Sequence, residues 1–350
     1  MKFTIIDIVS VLVIYQSFML VLFLLFNKKA KPLFIKALIL IFLLIIFHFS
    51  YMLFEKYSVS KNYFFGPFFG LIYGPMYHLY TKSLIIEKID FKKISIHFIP
   101  ALLTFFMLAF FSSKMVNYFD SIGLIVTAHF TVYLFLTLRL IYKYRRLLKH
   151  TTSSFYNISL FWLEVIIYLQ LIILLVTIIE SYAQSLNVGD LIILLIYVLV
   201  LILINCFYYL GLKQVRLFRG FNEEKVNSIL AKGYTISNEL FNEYVNRINN
   251  YITEEKPYLE FEISLNNLSE SMSISKRNLS HVINKEFDKN FYDFINYYRL
   301  EKVKKYLQES NNPIKEVMYD SGFSNKATFN FIFKKDTGLT PTQYRGKHKS

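Results

Sequence analysis

LIILLIYVLVLILINCFYYLGL, residues 191–212, runs straight into KQVRLFRGFNEEK, residues 213–225. The first string has no charged residue in 22 positions, about 33 Å of helix, which exceeds a bilayer core of about 30 Å. The second has six charged residues in thirteen. Two solvents meet at this point, and the rest of the chain divides around it. Ahead of Lys213 stand 25 of the 64 charged residues, and behind it 22 basic and 17 acidic ones in the shorter part. At 54% hydrophobic and 18% charged over 350 residues, the chain is too apolar for an ordinary water-soluble protein, in which charged residues approach a quarter. Its single cysteine, Cys206, lies in the apolar run. That excludes a disulfide framework and a cysteine zinc site, and suits a small packing residue.

Toward the N-terminus, apolar stretches of spanning length recur at 5–26, 33–54, 64–84, 94–111, 121–142, 158–179 and 191–212. The third is interrupted by Gly66, Pro67, Gly70, Gly74 and Pro75, which membrane helices tolerate better than soluble ones. Seven spans are expected, with six as the alternative. Basic residues of short loops stay cytoplasmic. With the N-terminus outside, inner segments hold fourteen: Lys28, Lys29, Lys31, Lys82, Lys88, Lys92, Lys93, Lys143, Arg145, Arg146, Lys149, Lys213, Arg216 and Arg219. Outer segments hold four: Lys2, Lys56, Lys61 and Lys114. This bias favours seven over six and places the C-terminal part of a multi-pass membrane protein in the cytoplasm. The first span is too long for a signal-peptide core and reads as uncleaved. Outer loops of about ten residues are too short to fold a ligand-binding domain, so a signal must enter the bundle or act through lipid or a membrane partner.

Ionisable and amide groups are costly in hydrocarbon and mark the bundle interior. His78, His97, Glu164 and Asn205 fall in the inner halves of their spans, where they can meet. His48 and His129 fall in the outer halves, where they can line an outward-opening pocket with Gln16 or Gln170. These are the candidate sensing residues, weighed against plain interhelical hydrogen bonding. Gly66, Gly70 and Gly74 form one stripe for close helix packing, within the chain or in a homodimer. No HExxH helix, GxxxxGK[ST] loop or GxSxG elbow occurs. Neither catalysis, a metal nor a cofactor is expected.

Behind Lys213 the apolar residues become periodic. Residues 237–251 form an amphipathic helix capped by Ser237 that reads as a connector, and 258–263 as a short extended piece. Two helix-turn-helix patterns follow. Leu265, Leu268 and Met272 line a short helix, Ser273 and Ile274 turn, and Leu279, Val282, Ile283 and Phe287 line a second helix starting near Ser275. In the repeat, Asn312 caps, Pro313 opens the helix, Ile314, Val317 and Met318 face inward, Gly322 turns, and Phe323, Phe329, Ile332 and Phe333 line the partner helix. Between them residues 291–308 make a helix of about 27 Å. The chain is therefore expected to be all-α: a seven-helix transmembrane bundle over 1–212, a helical linker over 213–263, and a soluble double helix-turn-helix domain over 264–350.

Pro313-Ile314, Gly322-Phe323-Ser324, Thr328-Phe329, Phe333-Lys334-Lys335, Gly338, Thr340-Pro341 and Tyr344-Arg345 resemble the second half of the AraC-family DNA-binding domain, and 265–307 resembles its first unit and connecting helix. The bundle, with Gly74-Pro75-Met76-Tyr77 and His97-Phe98-Ile99-Pro100, is similar to the membrane-anchored branch of that family. The resemblance implies a one-component transcriptional regulator binding double-stranded DNA. It places base-facing positions at Arg277, Ser280 and His281, and in the second unit at Lys326, Ala327, Asn330 and Phe331 beside Asn325. Lys276 and Asn284 share the exposed face of the first reading helix, and Lys334, Lys335 and Arg345 suit phosphate or structural roles. Phe331 and Asp288 depart from the family pattern, which has arginine and a helix-ending glycine there. From residue 264 onward 15 basic residues face 9 acidic ones, a moderate excess for a nucleic-acid binder. Protein docking is the competing use of such a surface, and a transporter the competing use of the bundle.

Overall fold

The computed structural model of the chain describes residues 3–26, 33–58, 65–85, 89–115, 119–153, 159–183, 189–214 and 234–348. Among these the regular elements are helices, and the one β-type pairing is an isolated antiparallel bridge between Thr152 and Ser264. The chain divides into two compact units, Met1–Tyr142 with Leu160–Phe221, and Lys143–Ser159 with Asn222–Ser350.

The first unit contains α1 (Ile5–Phe26), α2 (Leu33–Tyr57), α3 (Gly66–Ile85), α4 (Phe91–Ser95), α5 (Ile99–Met115), α6 (Phe119–Leu148, its last turns in the second unit), α7 (Phe161–Ala183) and α8 (Gly189–Gln214). Among the described residues six stretches are long and apolar enough to cross a membrane. The third expected span forms the 20-residue helix α3, which is not one of the six. The fourth expected span is subdivided. Asp90 caps the short α4 by accepting from the Lys92 amide, a 3₁₀ turn Ile96–Phe98 follows, and α5 begins with Pro100 in its first turn, where a missing N–H costs nothing.

The distribution of polarity is inverted relative to a soluble domain. Phe47, Phe110, Leu124, Phe135 and Leu191 face outward, whereas Asp7, Ser17, Thr81, Thr137 and Gln170 are buried. Asp7 accepts from Lys56 Nζ at 2.6 Å and from the Tyr57 hydroxyl at 2.6 Å, tying the start of α1 to the end of α2. Two glycines of the stripe serve packing within the chain. A Cβ on Gly70 would overlap the Val126 side chain, and one on Gly74 would lie 2.9 Å from Tyr133 Cβ, so α3 rests closely on α6.

The second unit contains α9 (Asn238–Glu254), α10 (Leu265–Ser271), α11 (Lys276–Glu286), α12 (Phe291–Glu309), α13 (Ile314–Asp320), α14 (Lys326–Thr337) and α15 (Pro341–His348). Its apolar residues form two cores. One joins Leu265, Leu268, Leu279, Val282 and Ile283 to Phe291, Phe294 and Ile295. The other joins Val317, Met318, Phe323, Phe329 and Phe333 to Leu300, Val303 and Leu307. α12 thus gives its first half to one helix-turn-helix and its second half to the other. Helix α9, capped as expected by Ser237, is more than a connector, because Ile248 and Ile252 belong to the first core.

Both helix-turn-helix turns are built alike. Ser273 and Gly322 take left-handed backbone at φ 52° and 85°. Ile274 N–H bonds Ser269 O at 3.1 Å and Phe323 N–H bonds Met318 O at 3.1 Å, while Ser273 and Gly322 bond the carbonyls three residues back. This is the Schellman pattern that closes a helix C-terminus. Asp288 also sits at φ 49°, so it adopts the conformation usual for a helix-ending glycine. The second unit differs from expectation at its start. Pro313, in extended backbone, is the cap residue of α13 and has no side-chain capping bond, while Asn312 instead offers its carbonyl to Arg345 Nη2 at 2.7 Å. Residues 258–263 are likewise not extended throughout, since Lys256 at φ 50° starts a 3₁₀ turn over Pro257–Leu259.

The segment carrying Lys149 to Ser153 is part of this second unit. Ser153 N–H bonds Ile263 O at 3.1 Å, Leu265 N–H bonds Thr151 O at 3.0 Å, and Tyr292 N–H bonds Lys149 O at 2.9 Å.

The two turns make opposite predictions. Ser273→Gly relieves a left-handed non-glycine residue and should raise stability by about 0.5–1 kcal/mol. Gly322→Ala adds backbone strain and sets a Cβ against the Tyr258 carbonyl, and should lower stability by at least ~2 kcal/mol. Denaturant melts of the purified protein followed by a probe in the second unit test both.

Candidate nucleic-acid interface

In a helix-turn-helix the second helix presents its N-terminal face to the major groove. Here those helices are α11 and α14, capped by Ser275, which accepts from Asn278 N–H, and by Asn325, which accepts from Thr328 N–H. The caps align Leu279 with Phe329, both fully buried, and hence Ser280 with Asn330, His281 with Phe331, and Asn284 with Lys334.

On α11, Lys276 and Lys285 are exposed and Arg277, His281 and Asn284 half-buried. Ser280 departs from its expected place. It is buried, because Asn284 Nδ2 donates to its carbonyl at 2.7 Å and to its hydroxyl at 3.2 Å. That pair therefore offers a base chiefly the free face of the Asn284 amide. On α14, Asn325, Lys326, Ala327, Phe331, Lys334 and Lys335 are exposed and Asn330 half-buried. Phe331 is 56% exposed, an apolar group where thymine-methyl contact is chemically suited. Arg345 is engaged in holding Asn312, a structural role.

The contacts of Tyr234 and Phe241 with α11 were not legible from motif spacing. The Arg277 guanidinium stacks on the Tyr234 ring, 3.8 Å from its centroid. His281 meets the rings of Tyr234 and Phe241 edge-on at 5.6 and 6.1 Å, and Lys285 lies 4.9 Å over Phe241. The Tyr234 hydroxyl also bonds Asn278 Oδ1. One edge of the first reading face is therefore occupied by aromatic groups from the start of α9 and the residues before it. Partial burial there, with Lys285 nearby, lowers the His281 pKa, favouring the neutral imidazole at pH 7.

Arg299 was also missed, although it is an arginine on the otherwise apolar face of the connecting helix. It is 3% exposed and donates to Tyr258 O at 2.7 Å and Glu260 O at 2.6 Å, and burial lowers its pKa to about 10.

Within the first unit the candidate sensing residues separate. His78 and His97 come together, ring centroids 6.5 Å apart, and His97 Nδ1 lies 2.7 Å from the Tyr133 hydroxyl. His129 joins them rather than His48, packing on Tyr133 at 4.8 Å. Glu164 is met instead by the Tyr168 hydroxyl at 3.3 Å, and Asn205 by Gln16 in a reciprocal amide pair at 2.6 and 3.3 Å. The inner-half group of four does not converge, because Glu164 and Asn205 lie on faces away from the histidines. His48 stacks on Phe69 at 4.3 Å, bonds Tyr73 at 3.1 Å, and lines a cavity with Gln170.

A family model described as a helix-turn-helix domain matches residues 268–347. That match takes in both helix-turn-helix units and the helix between them. An uncharacterised HTH-type transcriptional regulator of Staphylococcus aureus is 33% identical over 102 residues, which is 29% of this chain and 13% of that protein. The uncharacterised HTH-type transcriptional regulator YtdP of Bacillus subtilis is 27% identical over 108 residues, 31% of this chain and 14% of that protein. The C-terminal domain of AraT, a response regulator from Geobacillus stearothermophilus, is 28% identical, with 30% of this chain and 86% of that one covered at a TM-score of 0.28. The chain thus spans about one seventh of the length of the curated relatives it matches.

Base reading and phosphate contact predict different phenotypes. Arg277→Ala should cost about 1–3 kcal/mol on a preferred DNA site and relax preference at one base pair, whereas Lys334→Ala should weaken all sequences alike and reduce the salt dependence by about one counterion. Competition binding of the full-length protein across DNA variants and salt concentrations separates them.

Proposed function

We propose that the protein is a membrane-tethered one-component transcriptional regulator, in which a seven-span bundle senses a signal and biases sequence-specific DNA binding by the two helix-turn-helix units. The observation that carries this reading is the pair of helix-turn-helix units on one shared helix, each presenting exposed lysines on its second helix. Six apolar helices with an outward apolar surface support residence in the bacterial inner membrane, and the lysine and arginine bias supports an outside N-terminus and a cytoplasmic DNA-binding domain. Regulation rather than catalysis is the activity, and DNA, the bilayer and a signal are the partners. A second copy of the chain is a further partner, as two reading helices per protomer suit a repeated site.

Signal response requires two arrangements of differing DNA affinity. The Tyr234 and Phe241 contacts supply the difference, since Arg277 stacked on Tyr234 is not free to reach a guanine. Residues 215–233, between α8 and Tyr234, lie outside the described residues. The two units are joined covalently at more than one place, since Lys143–Ser159 also belongs to the second.

Chromatin immunoprecipitation of the full-length protein against an Arg277→Ala, Lys326→Ala double variant at equal membrane level tests the reading. Discrete peaks lost in the variant are expected; identical peaks, or a phenotype unaffected by the variant, would sink it in favour of protein docking or transport. Tyr234→Ala should raise affinity for a recovered site about five-fold, the equivalent of ~1 kcal/mol of cation–π contact, as read by titration of the full-length protein in nanodiscs.

A further inference from the structure

A cavity of about 510 Å³ lies within the first unit, bounded by α2, α3, α6, α7 and α8. Its walls are mainly apolar, with Ile45, Phe49, Phe130, Ile173, Ile196 and Leu203 among them. Most of its polar groups are already engaged. His48 bonds Tyr73, the Thr177 hydroxyl donates to Ile173 O at 2.9 Å, and the Tyr197 hydroxyl meets Met52 Sδ at 3.5 Å. Gln170 is the exception. It is 4% exposed, and among the described residues neither its carbonyl oxygen nor its amide nitrogen has a hydrogen-bond partner of normal geometry, although the Tyr77 hydroxyl is close enough to interact with it. A buried amide left open costs free energy that folding does not recover, and in an apolar cavity the missing partner is supplied by whatever occupies it.

We infer that this cavity is the ligand site of the bundle, and that it takes an uncharged molecule with a linear apolar body and an amide-like head that both donates to and accepts from Gln170. The length fits. Gln170 and Glu180 both line the cavity and stand ten residues, about 15 Å, apart along α7. The charge fits as well. Among the described residues that line the cavity there is no lysine or arginine, so a carboxylate head would lie unpaired there, and Glu180 stands ten residues from Gln170 along α7. This inference rests on the sensing role proposed above and names the chemistry of the signal.

The test uses the full-length protein in nanodiscs with decanamide carrying a chain diazirine as photo-probe. Saturable labelling is expected on α7 and α8 around Ile173 and Ile196. Unlabelled decanamide should compete, whereas decane, decanoate and decylammonium should compete at least ten-fold less well. Gln170→Leu should cut labelling about ten-fold and, by removing the open amide, raise the thermal midpoint. Leu203→Trp, which fills the cavity from α8, should abolish labelling with Gln170 intact. Labelling indifferent to both variants, equal competition by decane, stronger competition by decylammonium, or a lowered midpoint in Gln170→Leu would each overturn the inference. DNA binding is measured in the same samples. A protein that binds its DNA sites but shows no saturable labelling refutes the cavity assignment alone. Labelling without any change in DNA affinity leaves the site standing and refutes the sensing role.

Discussion

The architecture of the second unit depends on one buried cation. Among the described residues no carboxylate pairs with the Arg299 guanidinium, and its charge is met by the carbonyl dipoles of Tyr258 and Glu260 and by the face of Phe323, 5.6 Å away. The planar fork suits this task, because it reaches several carbonyls from one fixed position where an ammonium would act as a point charge. In doing so it fixes residues 258–261, which have little regular structure of their own. It also sets the floor beneath the second turn, for Gly322 lies against Tyr258 O and Arg299 Nε. The spacing between the two reading helices is therefore held by α12 and by this one side chain on it.

That dependence explains which features were legible in the sequence. Elements set by local chemistry were. Apolar runs gave the long apolar helices of the first unit, Ser237 gave the cap of α9, and the duplicated period gave α10 to α14. Asp288 was also readable, since an aspartate tolerates the left-handed backbone that a glycine would have taken. Pro313 was harder, because a proline both opens helices and precedes them in extended backbone, and the choice was settled by Arg345 claiming the Asn312 carbonyl. Side chains whose role is set by distant partners were not readable. Tyr234 is an ordinary tyrosine until Arg277 stacks on it, 43 positions later. Glu164 and Asn205 share a depth with His78 and His97, but depth along a helix does not fix the face around it, and the faces differ.

The bundle follows the same logic. Gln170 was one of two glutamines suitable for a pocket, and nothing in its neighbours separated it from Gln16. The difference is that Gln16 meets Asn205 from another helix and Gln170 meets a space bounded by five. The glycine stripe had two readings, and the close fit of Gly70 and Gly74 on α6 meets the demand for small residues without a second copy.

The bridge between Thr152 and Ser264 has a further consequence for how the protein is made. Ser153 and Ile263 are 110 positions apart, and two long apolar helices and the whole of α9 are synthesised between them. Contacts of that sequence separation are slow to form, because their loop must close before anything rewards it. During synthesis the Lys149 to Ser153 strip leaves the ribosome well before its binding edge exists, and it stays unsatisfied until Ser264 and Tyr292 emerge. The first helix-turn-helix is thus completed late and from two stretches about 110 positions apart. A version beginning after α8 would fold without the strip, leaving the Ile263 carbonyl and the amides of Leu265 and Tyr292 to water.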